Sequence, residues 1–204
     1  MEANILKKRQ GKKLYNLYEA FMHLLRAFTT IHYLSKAKKN KIITEQFQER
    51  LMLAVTEVNG CALCSYAHTK MALEAGLSED EISQLLEGSN QEHTPKEEMN
   101  AILFASYYAE CRAKVDKEIW KKIVEEYKID KALGILAAIR IITVGNVYGI
   151  ALGSFLSRFK KDKSKRDKRT TLLYELIMLL TFIPFSLIAL ILSFILRLFK
   201  VKFI

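Results

Sequence analysis

The stretch Glu49-Arg50-Leu51-Met52-Leu53-Ala54-Val55-Thr56-Glu57-Val58-Asn59-Gly60-Cys61-Ala62-Leu63-Cys64-Ser65-Tyr66-Ala67-His68 carries the spacing E-x11-C-x2-C-x3-H. If residues 61 to 68 are helical, Cys61 and Cys64 are i, i+3 neighbours, and Cys64 and His68 are i, i+4 neighbours. All three then share one face. A disulfide needs Cα atoms within about 7 Å, which one helical turn allows. A thiolate is a far better nucleophile than a thiol, so a nearby imidazole raises reactivity. Asn59-Gly60 reads as the entry to this helix. An Asn59 cap puts Cys61 in the first turn, where the helix dipole stabilises a thiolate. The dipole favours Cys61 and the imidazole favours Cys64, so the spacing leaves the order of attack open.

Helical patterning continues on both sides. Leu14, Leu17, Phe21, Leu24, Leu25, Phe28 and Ile31 recur at three- and four-residue steps, which predicts a helix over 14–37. A second helix over 44–58 carries Glu49, and the cysteine helix is expected to run to Ala75. Gly76 is a stop, and Ser78 with Glu81 reads as a capping box. Thr94-Pro95-Lys96-Glu97 predicts another start, with Thr94 as cap, Pro95 at the first helical position and Glu97 reaching back. That helix is expected to reach Ala113 and to contain Cys111. Asp116 and Asp130 are read as caps of two more helices. No segment alternates at period two, so the fold class is all-α.

The same residues resemble the alkylhydroperoxidase D-like branch of the carboxymuconolactone decarboxylase superfamily. The likeness rests on Glu49, Asn59-Gly60 before Cys61, His68-Thr69, and Ala75-Gly76-Leu77-Ser78-Glu79-Asp80-Glu81-Ile82, and it extends over about residues 14 to 158. It implies an alkylhydroperoxidase D-like helical domain and four catalytic residues. Cys64 is the thiol that attacks peroxide, His68 and Glu49 relay its proton, and Cys61 resolves the sulfenic acid. The resemblance also implies a dithiol or thioredoxin-like reductant, no cofactor, and a homo-oligomer (trimer or hexamer). Decarboxylases of the superfamily lack the cysteine pair. Relatives with a second His between the cysteines differ from this chain, which has Leu63 there.

Charge divides the chain. Of the net +10, residues 158–169 contribute +6, residues 1–13 contribute +4 and residues 170–204 contribute +2, leaving −2 for 14–157. The basic charge is terminal. No basic face with base-reading or stacking groups emerges, so nucleic acid is not an expected partner. Three cysteines, an odd number, point to a reducing compartment. The start of the chain lacks an uninterrupted apolar run and a small-residue cleavage site, so no signal peptide is read.

Residues 176–196 hold no charge over 21 positions. At about 1.5 Å per residue such a helix matches a bilayer core of about 30 Å. Pro184 is tolerated in membrane helices. The expected organisation is a basic arm over 1–13, the helical domain over 14–157, a basic juxtamembrane linker over 158–170 and a transmembrane helix over 171–199. The larger basic cluster precedes the span, which predicts a single-pass protein with the domain on the cytoplasmic side and lipid headgroups as partners. A second apolar stretch, 132–157, contains one charge, Arg140, and the repeat Gly145, Gly149, Gly153. That repeat permits close helix approach, and the stretch is read as a buried core or interface helix.

Two functions fit these residues. The first is a membrane-anchored thiol peroxidase or disulfide oxidoreductase that reduces peroxides. The alternative is a non-catalytic module that senses redox state or binds metal, since C-x2-C-x3-H supplies three zinc ligands and Glu49 or Cys111 is a candidate fourth. Glu57, four residues before Cys61, is a lesser rival for the relay. His23, His32 and His93 lack a comparable partner and are read as structural or exposed.

Overall fold

The computed structural model describes residues 14–88, 94–160 and 166–199. The basic arm at 1–13, His93 and residues 161–165 of the basic run lie outside them. Among the described residues there are seven helices and no strand. They are α1 Leu17–Lys39, α2 Glu45–Asn59, α3 Ala62–Glu74, α4 Glu79–Glu87, α5 Lys96–Glu110, α6 Lys117–Arg158 and α7 Leu172–Leu198.

Local chemistry sets most boundaries. Asn16 and Glu19 form a complete capping box at the start of α1. Thr44 caps α2, and Gly60 ends it in the left-handed region at φ 70°. Ser78 caps α4 through the Glu81 amide, but the expected return contact from Glu81 is replaced by a stronger one. Its carboxylate accepts from Arg50 Nε at 2.6 Å. Pro95 precedes α5 as its cap residue and the helix starts at Lys96, one position later than predicted. α5 also stops at Glu110 and not at Ala113, because Arg112 and Ala113 turn to positive φ. Asp116 caps α6 as predicted. The break in α6 falls at Lys128 (φ 61°), and Asp130 pairs with Lys36 of α1 at 3.2 Å.

The larger core lies between α2, α5 and residues 129–158 of α6, with Leu51, Leu53, Ile102, Ile135 and Ile139 fully buried. Burial of each such side chain contributes about 1.5–3 kcal/mol. One buried ionic cluster crosses this core. Arg50 of α2 donates to Glu81 of α4 and, at 2.9 Å, to Glu98 of α5. Buried charges persist when paired and hydrogen-bonded, so this cluster fixes the rotation of α2 and therefore the direction of its neighbour Glu49. Arg140 and Asn146 are both buried in the core, and Thr56 donates to Asn146 at 3.2 Å, tying α2 to α6.

Helices α6 and α7 are each long and apolar enough to cross a membrane, by length and composition. They differ in burial. The apolar window of α6 is 72% buried, as a core helix is, and that of α7 is 11% buried. α7 passes through Pro184 without interruption and lies along α1 and α6. Tyr174 donates to the Tyr15 carbonyl, Phe185 meets the edge of Phe21, Phe182 meets Tyr148, and Arg197 reaches the Phe28 carbonyl. Glu175 is fully buried and is held by Arg158 and Thr170. The sequence predicts a helix separated from the body by a linker, whereas α7 is docked on it. Its outer face stays apolar. Leu180, Ile183, Leu187, Ile191, Phe194 and Leu198 follow one another at three- and four-residue steps and are all more than half exposed.

Candidate redox site

Cys61 and Cys64 are joined by a disulfide with Cα atoms 5.3 Å apart. The local fold differs in one detail from the expected one. Asn59 is the last residue of α2, and Cys61 itself caps α3, its Sγ accepting the Cys64 amide at 3.2 Å. A sulfur in the N-cap position receives the positive end of the helix dipole directly. Asn59 has a separate task. Its Oδ1 accepts from the Tyr15 hydroxyl at 2.6 Å, which holds the α2–α3 turn against the start of the chain. Burial pushes the Tyr15 phenol up to about 12, with Arg112 opposing, so it remains a neutral donor.

Glu49 and His68 meet across α2 and α3. His68 Nδ1 and Glu49 Oε2 are 2.7 Å apart, with the carboxylate buried and the imidazole at the rim. The other carboxylate oxygen accepts from Gln48 at 3.3 Å. An Nδ1–H donated to Glu49 sets the tautomer and leaves Nε2 to take and return a proton. His68 lies one turn beyond Cys64 on α3, the placement that the spacing predicts. Glu49, and not Glu57, is the carboxylate on this imidazole.

The floor of the site comes from α6. The Cys64 Sγ is 3.3 Å from the Gly145 carbonyl oxygen. A Cβ added at Gly149 would sit 2.6 Å from Cys64 Sγ and 2.9 Å from Cys61 Sγ, and one at Gly153 would sit 3.2 Å from Leu63 Cβ. The four-residue glycine repeat is therefore the surface on which the cysteine turn rests. Cys61 is wholly buried and Cys64 is 8% exposed, so Cys64 is the more accessible residue of the pair. Cys111 stands apart as the residue after α5, near the Tyr108 carbonyl, and burial pushes its thiol up, away from the thiolate form. Among the described residues, no three His, Cys, Asp or Glu side chains are grouped to hold a metal ion. His23 is buried and His32 is exposed.

Three features of the site carry no local motif: the Arg50 cluster that orients α2, the Tyr15–Asn59 bond, and the contact of Gly149 with both sulfurs. The last predicts a contrast between two neighbouring glycines. Gly149→Ala should destabilise the oxidised protein by about 1–3 kcal/mol through overpacking. At Gly145 an added Cβ meets only Ile142 Cδ1 at 3.7 Å, so Gly145→Ala should be neutral or stabilising by up to about 1 kcal/mol. Urea unfolding of the full chain in non-ionic detergent checks this, and equal losses at both positions would contradict it.

No curated protein and no solved structure was found to match the chain. The sequence model described as the carboxymuconolactone decarboxylase family matches residues 20–106, which run from α1 into α5 and include Glu49, Cys61, Cys64 and His68. A region of the chain is thus similar to the carboxymuconolactone decarboxylase family, and the described residues around it form an all-α fold.

Proposed function

We propose that the protein is a membrane-attached thiol peroxidase or disulfide oxidoreductase that cycles Cys61 and Cys64. The observation that carries this reading is the disulfide lying on the helix whose next turn bears the Glu49-paired His68. In the reduced protein, His68 Nε2 takes the proton of Cys64. The thiolate attacks one oxygen of a hydroperoxide, the O–O bond breaks, and the alkoxide leaves with the proton held by His68. Cys64 is then a sulfenic acid. The Cys61 thiolate attacks that sulfur and displaces hydroxide, which leaves as water with the Cys61 proton. One peroxide and two thiols give an alcohol, water and the disulfide. A dithiol or thioredoxin-like reductant returns the pair to thiols by exchange. The N-cap position of Cys61 supports its role as the resolving thiolate, and the greater exposure of Cys64 supports its role as the sulfur that attacks peroxide. The resemblance supports a homo-oligomer, trimer or hexamer.

A redox sensor without turnover is the second reading, favoured by the depth of the disulfide. Turnover separates the two. With peroxide and a dithiol in excess, the wild-type chain should consume peroxide catalytically. His68→Ala should slow peroxide-driven oxidation by about 10²-fold or more, the usual order for general acid–base catalysis. Glu49→Gln should lose less, because it keeps a hydrogen-bonding partner for Nδ1. An unchanged rate in His68→Ala would remove the imidazole from the mechanism, and a single stoichiometric oxidation would favour the sensor.

Membrane attachment belongs to α7. Each Leu, Ile or Phe near the centre of an inserted helix contributes about −0.3 to −0.6 kcal/mol, and the outer stripe of α7 consists of such residues. Docked on α1, whose length carries Glu19, Arg26 and Lys36, α7 offers lipid that one stripe. A single-pass span requires α7 to leave α1 and α6 and to uncover Glu175, which lies in its first turn where the headgroups are. The basic run at 158–169 then faces anionic lipid, with the domain on the cytoplasmic side. The full chain should remain in the membrane fraction through high salt and through alkaline carbonate. Release by salt alone would mean electrostatic surface binding, and release by carbonate alone would mean attachment by the docked stripe without a span.

A further inference from the structure

A cavity of about 260 Å³, lined by none of the four redox-site residues, lies between α1, α5 and both segments of α6. Four cations line it: Arg26, Lys114, Lys117 and Arg140. No carboxylate is among its lining residues. Its apolar walls are Phe104 and Trp120, whose rings are 6.0 Å apart and tilted by 40°, and Tyr108, whose hydroxyl accepts from Arg140 Nε at 3.3 Å. One rim is the turn after α5, where Arg112 (φ 51°) and Ala113 (φ 64°) stand consecutively in the left-handed region. Strain of this kind in non-glycine residues persists where surrounding contacts hold it. Arg112 is held by Glu19 and by the Leu14 carbonyl.

The charge runs from the surface into the core: Lys114 and Lys117 are exposed, Arg26 is half-buried and Arg140 is buried. His23, buried behind Arg26, has its pKa lowered to about 3 by burial first and by Arg26, Arg112 and Arg140, with Glu19 opposing. The imidazole stays neutral there and adds no positive charge of its own. Two arginines at the bottom and two lysines at the mouth suit an anion, since guanidinium forks bind carboxylate and phosphate oxygens. The indole and phenyl faces suit a flat apolar body. The volume lies just below the roughly 300–1,000 Å³ of sites for drug-sized ligands, which limits the body to about one ring. The redox site is separate: Arg140 precedes Gly149 by nine residues on α6, about 13 Å along the helix.

We propose that this cavity is a binding site for a small aromatic anion, a single ring bearing a carboxylate or a phosphate. The headgroup is held by Arg26 and Arg140 with Lys117 at the entrance, and the ring lies against Trp120. This proposal does not depend on the peroxidase reading.

Trp120 is the sole tryptophan of the chain, so its emission reports the cavity alone. The full chain in non-ionic detergent would be titrated with phenylacetate, phenyl phosphate and the neutral phenylacetamide. At least one anion should change Trp120 emission saturably, at concentrations tenfold or more below those needed for phenylacetamide, and the tighter of the two identifies the headgroup. Arg26→Gln combined with Lys117→Gln should weaken that anion about tenfold or more and leave phenylacetamide unchanged. Both side chains are partly or fully exposed, so the variant keeps the core, and an unaltered Cys61–Cys64 disulfide by mass spectrometry confirms its fold. No saturable change up to millimolar anion, equal responses to anion and amide, or an unaltered response in the double variant would each overturn the proposal.

Discussion

The site depends on the absence of side chains at the α6 surface beneath the cysteine turn. The two sulfurs lie 2.6 Å and 2.9 Å from where a Cβ of residue 149 would be. That contact sets the distance between α3 and α6, and with it the depth of the disulfide. It also ties the cysteine turn, carried by the family-matched region, to a helix beyond residue 106. The glycine repeat uses the same physics as a close helix pair, but its partner is a helix N-terminus and not a second long helix.

Around that contact the polar groups are ordered by burial. Arg50, Glu81 and Glu98 form a compensated cluster that orients α2. Glu49, one residue earlier, turns toward α3 and holds His68. Tyr15 restrains Asn59 from below the turn, and its backbone carbonyl is also bonded by Tyr174 of α7. Tyr148, which Phe182 of α7 contacts, immediately precedes Gly149. The apolar C-terminal helix thus touches the two segments that bracket the disulfide. An α7 that leaves the body to enter lipid releases both contacts at once, so membrane attachment and the environment of the disulfide are physically linked.

The helical class was legible in the sequence because periodicity, capping residues and the lack of alternation all agree. The grouping of Glu49, Cys61, Cys64 and His68 was legible because their partners are near in sequence or lie on adjacent helices: Cys61, Cys64 and His68 fall within one short stretch, and Glu49 precedes them at a fixed interval. Other features depend on the tertiary fold. Arg50 carries no local signal of its role, because its partners Glu81 and Glu98 come from α4 and α5. Asn59 reads as a cap because Asn is a good one, but Gly60 takes the left-handed turn and Cys61 becomes the cap. Glu81 was expected to close a local box, and a buried arginine competes successfully for its carboxylate. The uncharged run at 176–196 identified a helix of membrane-spanning length, while its docking on α1 is encoded in scattered small and aromatic residues such as Ala189, Phe21 and Tyr148 that no local pattern links.

The central claim is that Cys64 is the sulfur that attacks peroxide and Cys61 the one that resolves. Sulfenic-acid trapping tests this most directly. Full-length Cys61→Ser and Cys64→Ser variants would be reduced, treated with equimolar peroxide in the presence of a 1,3-diketone trap, and mapped by mass spectrometry. The account predicts the adduct on Cys64 in Cys61→Ser and no adduct on Cys61 in Cys64→Ser. An adduct on Cys61 with none on Cys64, or labelling confined to Cys111, would contradict it.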